Sequence, residues 1–186
     1  MPVPTARSVC VFCGSRAGRK PVHADAARSL GRALAEGGFR LVYGAGDVGL
    51  MGEVARAALG AGGETFGVVP QHLIDRERGK RDLGRLIVTE TMHERKKVMF
   101  MNADAVVALP GGPGTLDELF EVLTWRQLGL HAKPAFVLNT GGYWDPLLAL
   151  LEHIVHEGFA ERSFLGFLEP VASVPELMER LRARVG

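Results

Sequence analysis

The chain has 186 residues, of which 47% are hydrophobic and 23% are charged, and its formal net charge is +1. This balance is typical of a soluble globular domain and gives no electrostatic reason to expect a nucleic acid or an acidic membrane surface as partner. No apolar run approaches the ~20 residues of a membrane span, and residues 1–8 contain no signal-peptide core, so a cytoplasmic protein is predicted.

Strand and helix signals alternate along the chain. Short apolar runs rich in β-branched residues predict strands at 8–13, 39–43, 64–69, 85–89, 105–109, 135–139 and 167–171. Apolar residues at helical spacing predict helices at 21–36, 49–59, 92–102, 116–127 and 144–156 and from 174 to the end, with 71–84 irregular. This alternation predicts a single-domain α/β fold, a Rossmann-like doubly wound parallel sheet with helices on both faces.

Two cysteines, Cys10 and Cys13, have the C-x-x-C spacing of redox pairs and zinc sites. They lie inside a predicted strand, where residues three apart point to opposite faces. We therefore expect structural thiols and no metal.

A glycine turn at residues 44–49 has the form G-x-G-x-x-G between a strand and a helix. A dinucleotide site also needs an acid at the end of the following strand, and Pro70 and Gln71 stand there. The turn is therefore expected to line the same crevice as a second glycine loop and not to bind NAD.

That second loop, residues 110–115, follows the buried strand 105–109 and has the sequence Pro-Gly-Gly-Pro-Gly-Thr. It is expected neither to continue the strand nor to lie inside a helix. A glycine loop before a helix start forms a phosphate cradle at the carboxyl edge of a sheet, and no Lys-Ser/Thr pair marks it as a Walker loop. Asp117 and Glu118 follow, and they are either first-turn acids that favour the helix dipole or catalytic carboxylates.

Arg95 and Lys96 are predicted in the first turn of the helix at 92–102. An arginine there can make a forked contact with phosphate oxygens. Because residues 95–97 form a run of three cations, the alternative is a solvated basic face.

Two motifs at this spacing carry a family resemblance. Residues 92–99, MHERKKVM, fit an MHERKxxM motif, and residues 110–118, PGGPGTLDE, fit a PGGxGTxxE motif. Together they resemble the LOG ("lonely guy") family, the cytokinin riboside 5′-monophosphate phosphoribohydrolases, which have often been labelled lysine decarboxylases. The resemblance runs from residues 9–15 through 41–44 and 49–52 to 124–125, and the family usually has glycine where this chain has Ala45.

The resemblance implies cleavage of the N-glycosidic bond of AMP or cytokinin riboside 5′-monophosphates, giving free base and ribose 5-phosphate. It implies Arg95 and Glu118 as the catalytic residues, no cofactor, a small-molecule nucleotide as substrate and a homodimer. The substrate-binding residues that it implies are Gly14, Ser15, Glu77, Met92, Lys96, Gly111, Gly112, Gly114, Thr115 and Thr124. A glycosidase-type carboxylate beside an anion cradle suits this chemistry by analogy.

Two other functions stay open. LOG-like folds include molybdenum-cofactor carriers, which hold a pterin phosphate without turnover, although the presence of both Arg95 and Glu118 argues against that function. A general AMP nucleosidase is the other, since no residue reports on the N6 substituent of the base. Decarboxylation is disfavoured because nothing in the sequence marks a cofactor lysine.

Overall fold

The computed structural model describes residues 7–76 and 84–185. The strands of this part of the chain are β1 (Ser8–Phe12), β2 (Arg40–Tyr43), β3 (Thr65–Pro70), β4 (Arg85–Thr89), β5 (Ala105–Ala108), β6 (Ala135–Leu138) and β7 (Glu169–Val171). Its α-helices are α1 (Pro21–Glu36), α2 (Gly49–Gly60), α3 (Gln71–Arg76), α4 (Met92–Met101), α5 (Pro113–Gln127), α6 (Asp145–His156) and α7 (Val174–Val185). Short 3-10 turns lie at Thr140–Gly142 and Arg162–Phe167.

The strands form one sheet in the order β4-β3-β2-β1-β5-β6-β7, and every pairing is parallel. Each face carries its own hydrophobic cluster. Side chains of α1, α2 and α7 cover the face that contains Val9 and Val11, and side chains of α4, α5 and α6 cover the face that contains Cys10 and Phe12. The predicted Rossmann-like doubly wound fold is thus confirmed.

The strand order reverses between β1 and β5. In an open parallel sheet, such a switch point leaves a crevice beyond the carboxyl ends of the two strands, because their following loops diverge to opposite faces. The loop that contains Gly14 and the Pro-Gly-Gly loop of residues 110–115 both start at this crevice, after β1 and β5 respectively. The topology therefore brings together two loops that are almost 100 residues apart in sequence, since Gly14 donates its N–H to the carbonyl of Pro110.

Cys10 and Cys13 are free, buried thiols that belong to the two opposite hydrophobic clusters, as their strand spacing predicted. Burial raises the pKa of both thiols well above its ordinary value. Within residues 7–76 and 84–185, no group of three His, Cys, Asp or Glu side chains is placed to hold a metal ion. None of the helices there has both the length and the apolar character needed to cross a bilayer.

Three sequence predictions were wrong in detail. The helix after the Pro-Gly-Gly loop begins at Pro113 and not at residue 116, because proline is well suited to the first helical position, where its missing N–H is not needed. The stretch after β3 was predicted to be irregular, yet Gln71–Arg76 is helical. Residues 167 and 168 also precede the last strand, which begins at Glu169.

Candidate functional site

Three loops interlock above the carboxyl ends of β1, β2 and β5. Gly14 donates its N–H to the Pro110 carbonyl at 3.0 Å and accepts a hydrogen bond from the Leu50 N–H at 3.0 Å. Gly49 has a φ of +60°, and a Cβ atom there would lie 2.3 Å from the carbonyl carbon of Ser15. Glycine is therefore required at this contact, and the loops together enclose a cleft of about 970 Å³.

One wall of the cleft is the start of α5. The first N–H groups of a helix have no intrahelical partner, and Gly114 and Thr115 carry two such groups at the cleft. The Thr115 side chain folds over Gly111, where an added Cβ would lie 2.0 Å from Thr115 Oγ1. The N-cap residue is Gly112, so no side chain of this residue occupies the first N–H groups of the helix. Backbone donors and the positive end of the helix dipole thus meet at the cleft, an arrangement that is chemically suited to a phosphate-sized anion.

Arg95 lies in the opposite wall. Its Nε donates to the Val68 carbonyl at 3.1 Å, and its Nη2 donates to the Gly44 carbonyl at 2.8 Å. A Cβ on Gly44 would lie 1.9 Å from Nη2, so only glycine leaves room for the guanidinium. Arg95 is 7% exposed, which excludes the solvated-face interpretation for this residue. Gly44 and Gly46 line the cleft, as predicted for the glycine turn at residues 44–49.

The start of α4 sets where this guanidinium points. Thr91 and Glu94 form a capping box, in which the Thr91 hydroxyl accepts from the Glu94 N–H at 3.1 Å and the Glu94 carboxylate accepts from the Thr91 N–H at 3.2 Å. Such reciprocal bonds fix the first helical turn. Arg95, one residue later, is thereby held toward β3 and the β2–α2 turn.

Glu118, on α5, faces Arg95 across the cleft floor. Arg95 Nη1 and Glu118 Oε1 are 4.0 Å apart, and the two side chains are 9% and 11% exposed. Burial raises the pKa of Glu118 to about 7, although the positive charge of Arg95 partly opposes this and Asp117 adds to it. A carboxyl group with this pKa exchanges its proton near neutral pH, which suits acid–base chemistry and the stabilisation of a developing cation.

The structure does not bring every predicted site residue to this cleft. Gly14 and Ser15 line it, as do the predicted residues of the glycine cradle. Lys96 is buried but binds Asp117 and Glu121 on the outer side of α5, and Thr124 lines a separate groove of about 470 Å³ there. Met92 is 38% exposed and does not line the cleft, although its sulfur lies 3.9 Å from Arg95 Nη1. Glu77 lies outside the described residues.

Several residues of the cleft are not predicted by any sequence motif. Tyr143 donates its hydroxyl to the Gly111 carbonyl at 2.5 Å, a contact across 32 residues that has no sequence signal. His23 is 8% exposed, and its Nδ1 has no hydrogen-bond partner among the described residues. The β1–α1 loop adds three cations to the cleft. They form a short basic cluster just before the start of α1, and such a cluster in a sequence indicates a contact with an anion. These cations are Arg16, Arg19 and Lys20, and the apolar residues of the cleft include Leu50, Met51, Val69 and Leu73.

Ala45 holds a conformation that favours glycine. Its φ is +58°, in the left-handed region that costs L-residues about 1–2 kcal/mol. Glycine avoids this cost but loses more chain entropy on folding, by about 0.4–1 kcal/mol. We therefore expect Ala45→Gly to raise the free energy of unfolding by up to about 1 kcal/mol, measured by urea denaturation. Ala61→Gly, at a φ of −92°, is the control and should lower it; equal losses at both positions would contradict the prediction.

Comparison with known proteins places this geometry in context. A family model described as "Possible lysine decarboxylase" matches residues 51–181. A probable cytokinin riboside 5′-monophosphate phosphoribohydrolase of Oryza sativa subsp. japonica is 52% identical over 153 residues, which are 82% of this chain and 62% of that relative. A cytokinin riboside 5′-monophosphate phosphoribohydrolase of Arabidopsis thaliana is 42% identical over 179 residues, 96% of this chain and 84% of the relative.

Solved structures share the architecture at lower identity. The molybdenum cofactor carrier protein of Chlamydomonas reinhardtii superposes with a TM-score of 0.76 at 21% identity, over 97% of this chain and 99% of its own. The molybdenum cofactor binding protein of Rippkaea orientalis gives a TM-score of 0.73 at 20% identity, over 99% and 100% of the two chains. At these identities the likeness establishes the fold alone.

Proposed function

The chain belongs to the LOG family of cytokinin riboside 5′-monophosphate phosphoribohydrolases, and from that premise we propose that it hydrolyses the N-glycosidic bond of a nucleoside 5′-monophosphate. The substrate is AMP or a cytokinin riboside 5′-monophosphate, and the products are the free base and ribose 5-phosphate. The observation that supports this most directly is the buried Glu118–Arg95 pair, 4.0 Å apart, in the same cleft as the backbone anion cradle.

The cleft offers a place for each part of such a substrate. The phosphate binds at the start of α5, where Gly114 and Thr115 present backbone donors. The ribose then lies over the Glu118 carboxylate. The base meets the apolar residues of the cleft, among them Met51 and Val69. Binding energy at the phosphate orients the sugar for reaction, so it contributes to turnover and not only to affinity.

The chemistry follows from this placement. As the C1′–N bond breaks, the bonding electron pair leaves with the base, and the sugar acquires oxocarbenium character. The Glu118 carboxylate stabilises that positive charge and takes a proton from the water that attacks C1′. The departing base gains one proton in exchange, so that the carboxylate is regenerated and water supplies both the hydroxyl of the sugar and the proton of the base. Arg95 favours the ionised form of Glu118 through its positive charge. It also has N–H groups left for the substrate, because among the described residues Nε and Nη2 are the atoms that donate to backbone carbonyls.

The two rival activities fit the cleft less well. A carrier needs to hold a phosphate, which the glycine cradle does, but it has no use for a buried carboxyl group of raised pKa beside an arginine. A pyridoxal decarboxylase needs a lysine made nucleophilic, commonly by burial. Within residues 7–76 and 84–185, the lysine that lines the cleft is Lys20, an exposed side chain of the β1–α1 loop.

Base release from a panel of nucleotides tests the proposed function. AMP and N6-isopentenyl-AMP should each release free base, whereas adenosine should show a lower kcat as well as a higher KM, because it lacks the phosphate that orients the sugar. ATP should also be a poor substrate. Equal kcat values for adenosine and AMP would refute the role of the cradle. Absence of base release from every nucleotide, with AMP still bound, would favour the carrier.

We also expect a homodimer, in which the outer groove of α5 meets a second copy. Leu116, Phe120 and Trp125 line this groove, and Leu116 is 36% exposed. Apolar side chains on an exposed helix face are typical of subunit interfaces. Light scattering at micromolar concentration should therefore give twice the chain mass of 20.1 kDa, and a monomer mass there would contradict the expectation.

A further inference from the structure

Two neighbouring cations of α4, Arg95 and Lys96, contact acidic side chains on two different faces of α5. Arg95 faces Glu118 in the cleft. Lys96 Nζ lies between Asp117 Oδ2, at 3.0 Å, and Glu121 Oε2, at 2.8 Å. Successive residues of a helix are turned by about 100°, whereas residues four apart share a face. The two cations therefore hold adjacent faces of the same helix, one inside the cleft and one outside it.

The outer contact is built around a buried ammonium group. The Lys96 side chain is 7% exposed, while the side chains of Asp117 and Glu121 are 63% and 25% exposed. Burial works to lower the pKa of Lys96, but the hydrogen bonds that Lys96 donates to Glu121 and Asp117 outweigh this effect, and the net direction is upward. Lys96 is therefore charged at neutral pH and directs two of its three donors to α5.

These same charges act on Glu118. Burial is the largest effect and raises its pKa; Arg95 and Lys96 on α4 lower it, and Asp117 and Glu121 on α5 raise it. Cys10 of β1 and Cys13, which follows this strand, are neutral thiols near Glu118, since burial and then the charge of Glu118 raise their pKa. Without Lys96, no ammonium group would offset the negative charges of Asp117 and Glu121, which raise the pKa of Glu118.

We propose that Lys96 is a positioning residue, which holds Asp117 and Glu121 against α4 and thereby keeps the Glu118 carboxylate opposite Arg95. This inference rests on the proposed function, because it concerns the group that acts on the sugar. It differs from the direct nucleotide contact that the family resemblance implies for Lys96. Its basis is geometric: Lys96 bonds to α5 on the side away from the cleft and is absent from the cleft lining.

A charge-balanced set of variants tests this role. Lys96→Met keeps most of the length of the side chain and removes its charge. It should lower kcat and move the acid limb of kcat/KM to higher pH by about one unit, because Glu118 loses a stabilising cation. The AMP dissociation constant should stay within about twofold of wild type, as expected for a residue that contacts no nucleotide. The triple variant Lys96→Met, Asp117→Asn, Glu121→Gln also removes the two acids that raise the pKa of Glu118. The acid limb of kcat/KM should therefore return toward its wild-type pH.

A direct contact between Lys96 and the nucleotide predicts the opposite pattern. AMP affinity would then fall in the single and the triple variant alike, and the acid limb of the kcat/KM profile would stay at its wild-type pH. That result would overturn the proposal. Lys96→Arg, which keeps the charge, should retain most of the activity. Lys97→Met removes the exposed neighbouring cation and is the matched control, with kinetics expected to match wild type.

A measurement without turnover separates this proposal from the proposed function. Carbon-13 NMR titration of the Glu118 carboxyl should show a higher pKa in Lys96→Met than in the wild type, and a restored pKa in the triple variant. Identical titrations in all three proteins would exclude the positioning role even if the enzyme is active. A shifted titration in a protein that releases no base would leave Lys96 as a positioning residue and refute the hydrolase. If Lys96→Met does not fold, the Lys96→Arg and triple variants still decide the question.

Discussion

Glu118→Gln is expected to lower kcat for AMP by roughly 10²–10⁴-fold, the usual scale for a positioned acid or base. Glutamine keeps the size of the side chain but can neither stabilise a cationic sugar by its charge nor accept a proton from water. AMP should bind as well as before or more tightly, because a negative charge near a phosphate site has been removed. Base-release rates and calorimetric AMP affinity on the same sample separate the two effects.

A different outcome is expected if Glu118 takes no part in catalysis. Because α5 begins at Pro113, neither Asp117 nor Glu118 lies in its first turn, and the alternative of a first-turn acid is wrong. If Glu118 has a structural role only, the variant should keep its activity. Near-normal turnover would therefore refute the hydrolytic mechanism and favour the carrier. Glu152→Gln, an exposed acid on α6, is the control for removal of a carboxylate away from the cleft.

The raised pKa of Glu118 also predicts two pH dependences. Catalysis requires the ionised carboxylate, so kcat/KM should rise as the pH passes through about 7. Stability should change in the opposite direction. A folded-state pKa of about 7 against an ordinary 4.5 means that folding favours the protonated form. Its contribution is fully present below pH 4.5, is lost as the pH rises to about 7, and does not change further above that value.

The size of this loss is at most roughly 3 kcal/mol, from about 1.4 kcal/mol for each pH unit between the two pKa values. Urea denaturation of the wild type and of Glu118→Gln at pH 4.5, 6 and 7.5 measures it. The difference in unfolding free energy between the two proteins should grow in favour of the variant over this range. A constant difference would show that Glu118 titrates normally.

Arg95→Ala should lower kcat/KM for AMP by at least about 10²-fold, since a charged hydrogen-bonding group of the cleft is lost together with its effect on Glu118. Without the guanidinium, the Glu118 carboxylate is harder to ionise, so the acid limb of the rate profile should move to higher pH. The carbonyls of Val68 and Gly44 also lose their side-chain donor. We therefore expect a loss of stability of about 1–3 kcal/mol.

Two further variants make this result specific. Arg95→Lys keeps the charge but not the fork that reaches two carbonyls at once, so it should recover only part of the activity. Lys97→Ala removes the exposed third cation of the run and should leave the steady-state kinetics unchanged. Wild-type kinetics in Arg95→Ala would return this arginine to a structural role.

The architecture follows from local sequence signals. Alternating strand and helix patterns define a parallel sheet with helices on both faces, because strand 105–109 and its neighbours are apolar on both sides. The Pro-Gly-Gly loop directly after β5 ends the strand and leads into the start of α5 at the carboxyl edge, since proline and glycine do not continue a central strand. The capping box of Thr91 and Glu94 likewise lies within four consecutive residues. Contacts of this kind are close in sequence, and local chemistry suffices to predict them.

Tertiary structure alone decided what each charged side chain contacts. Arg95 and Lys96 are adjacent and chemically similar, yet the helix turns one into the cleft and the other toward the outer acids of α5. That choice depends on the angle at which α4 packs, which no local pattern reports. Tyr143 reaches the Gly111 carbonyl for the same reason, through the pairing of β5 with β6. The near-neutral pKa of Glu118 is also a tertiary property, because it comes from burial that only the packed helices create.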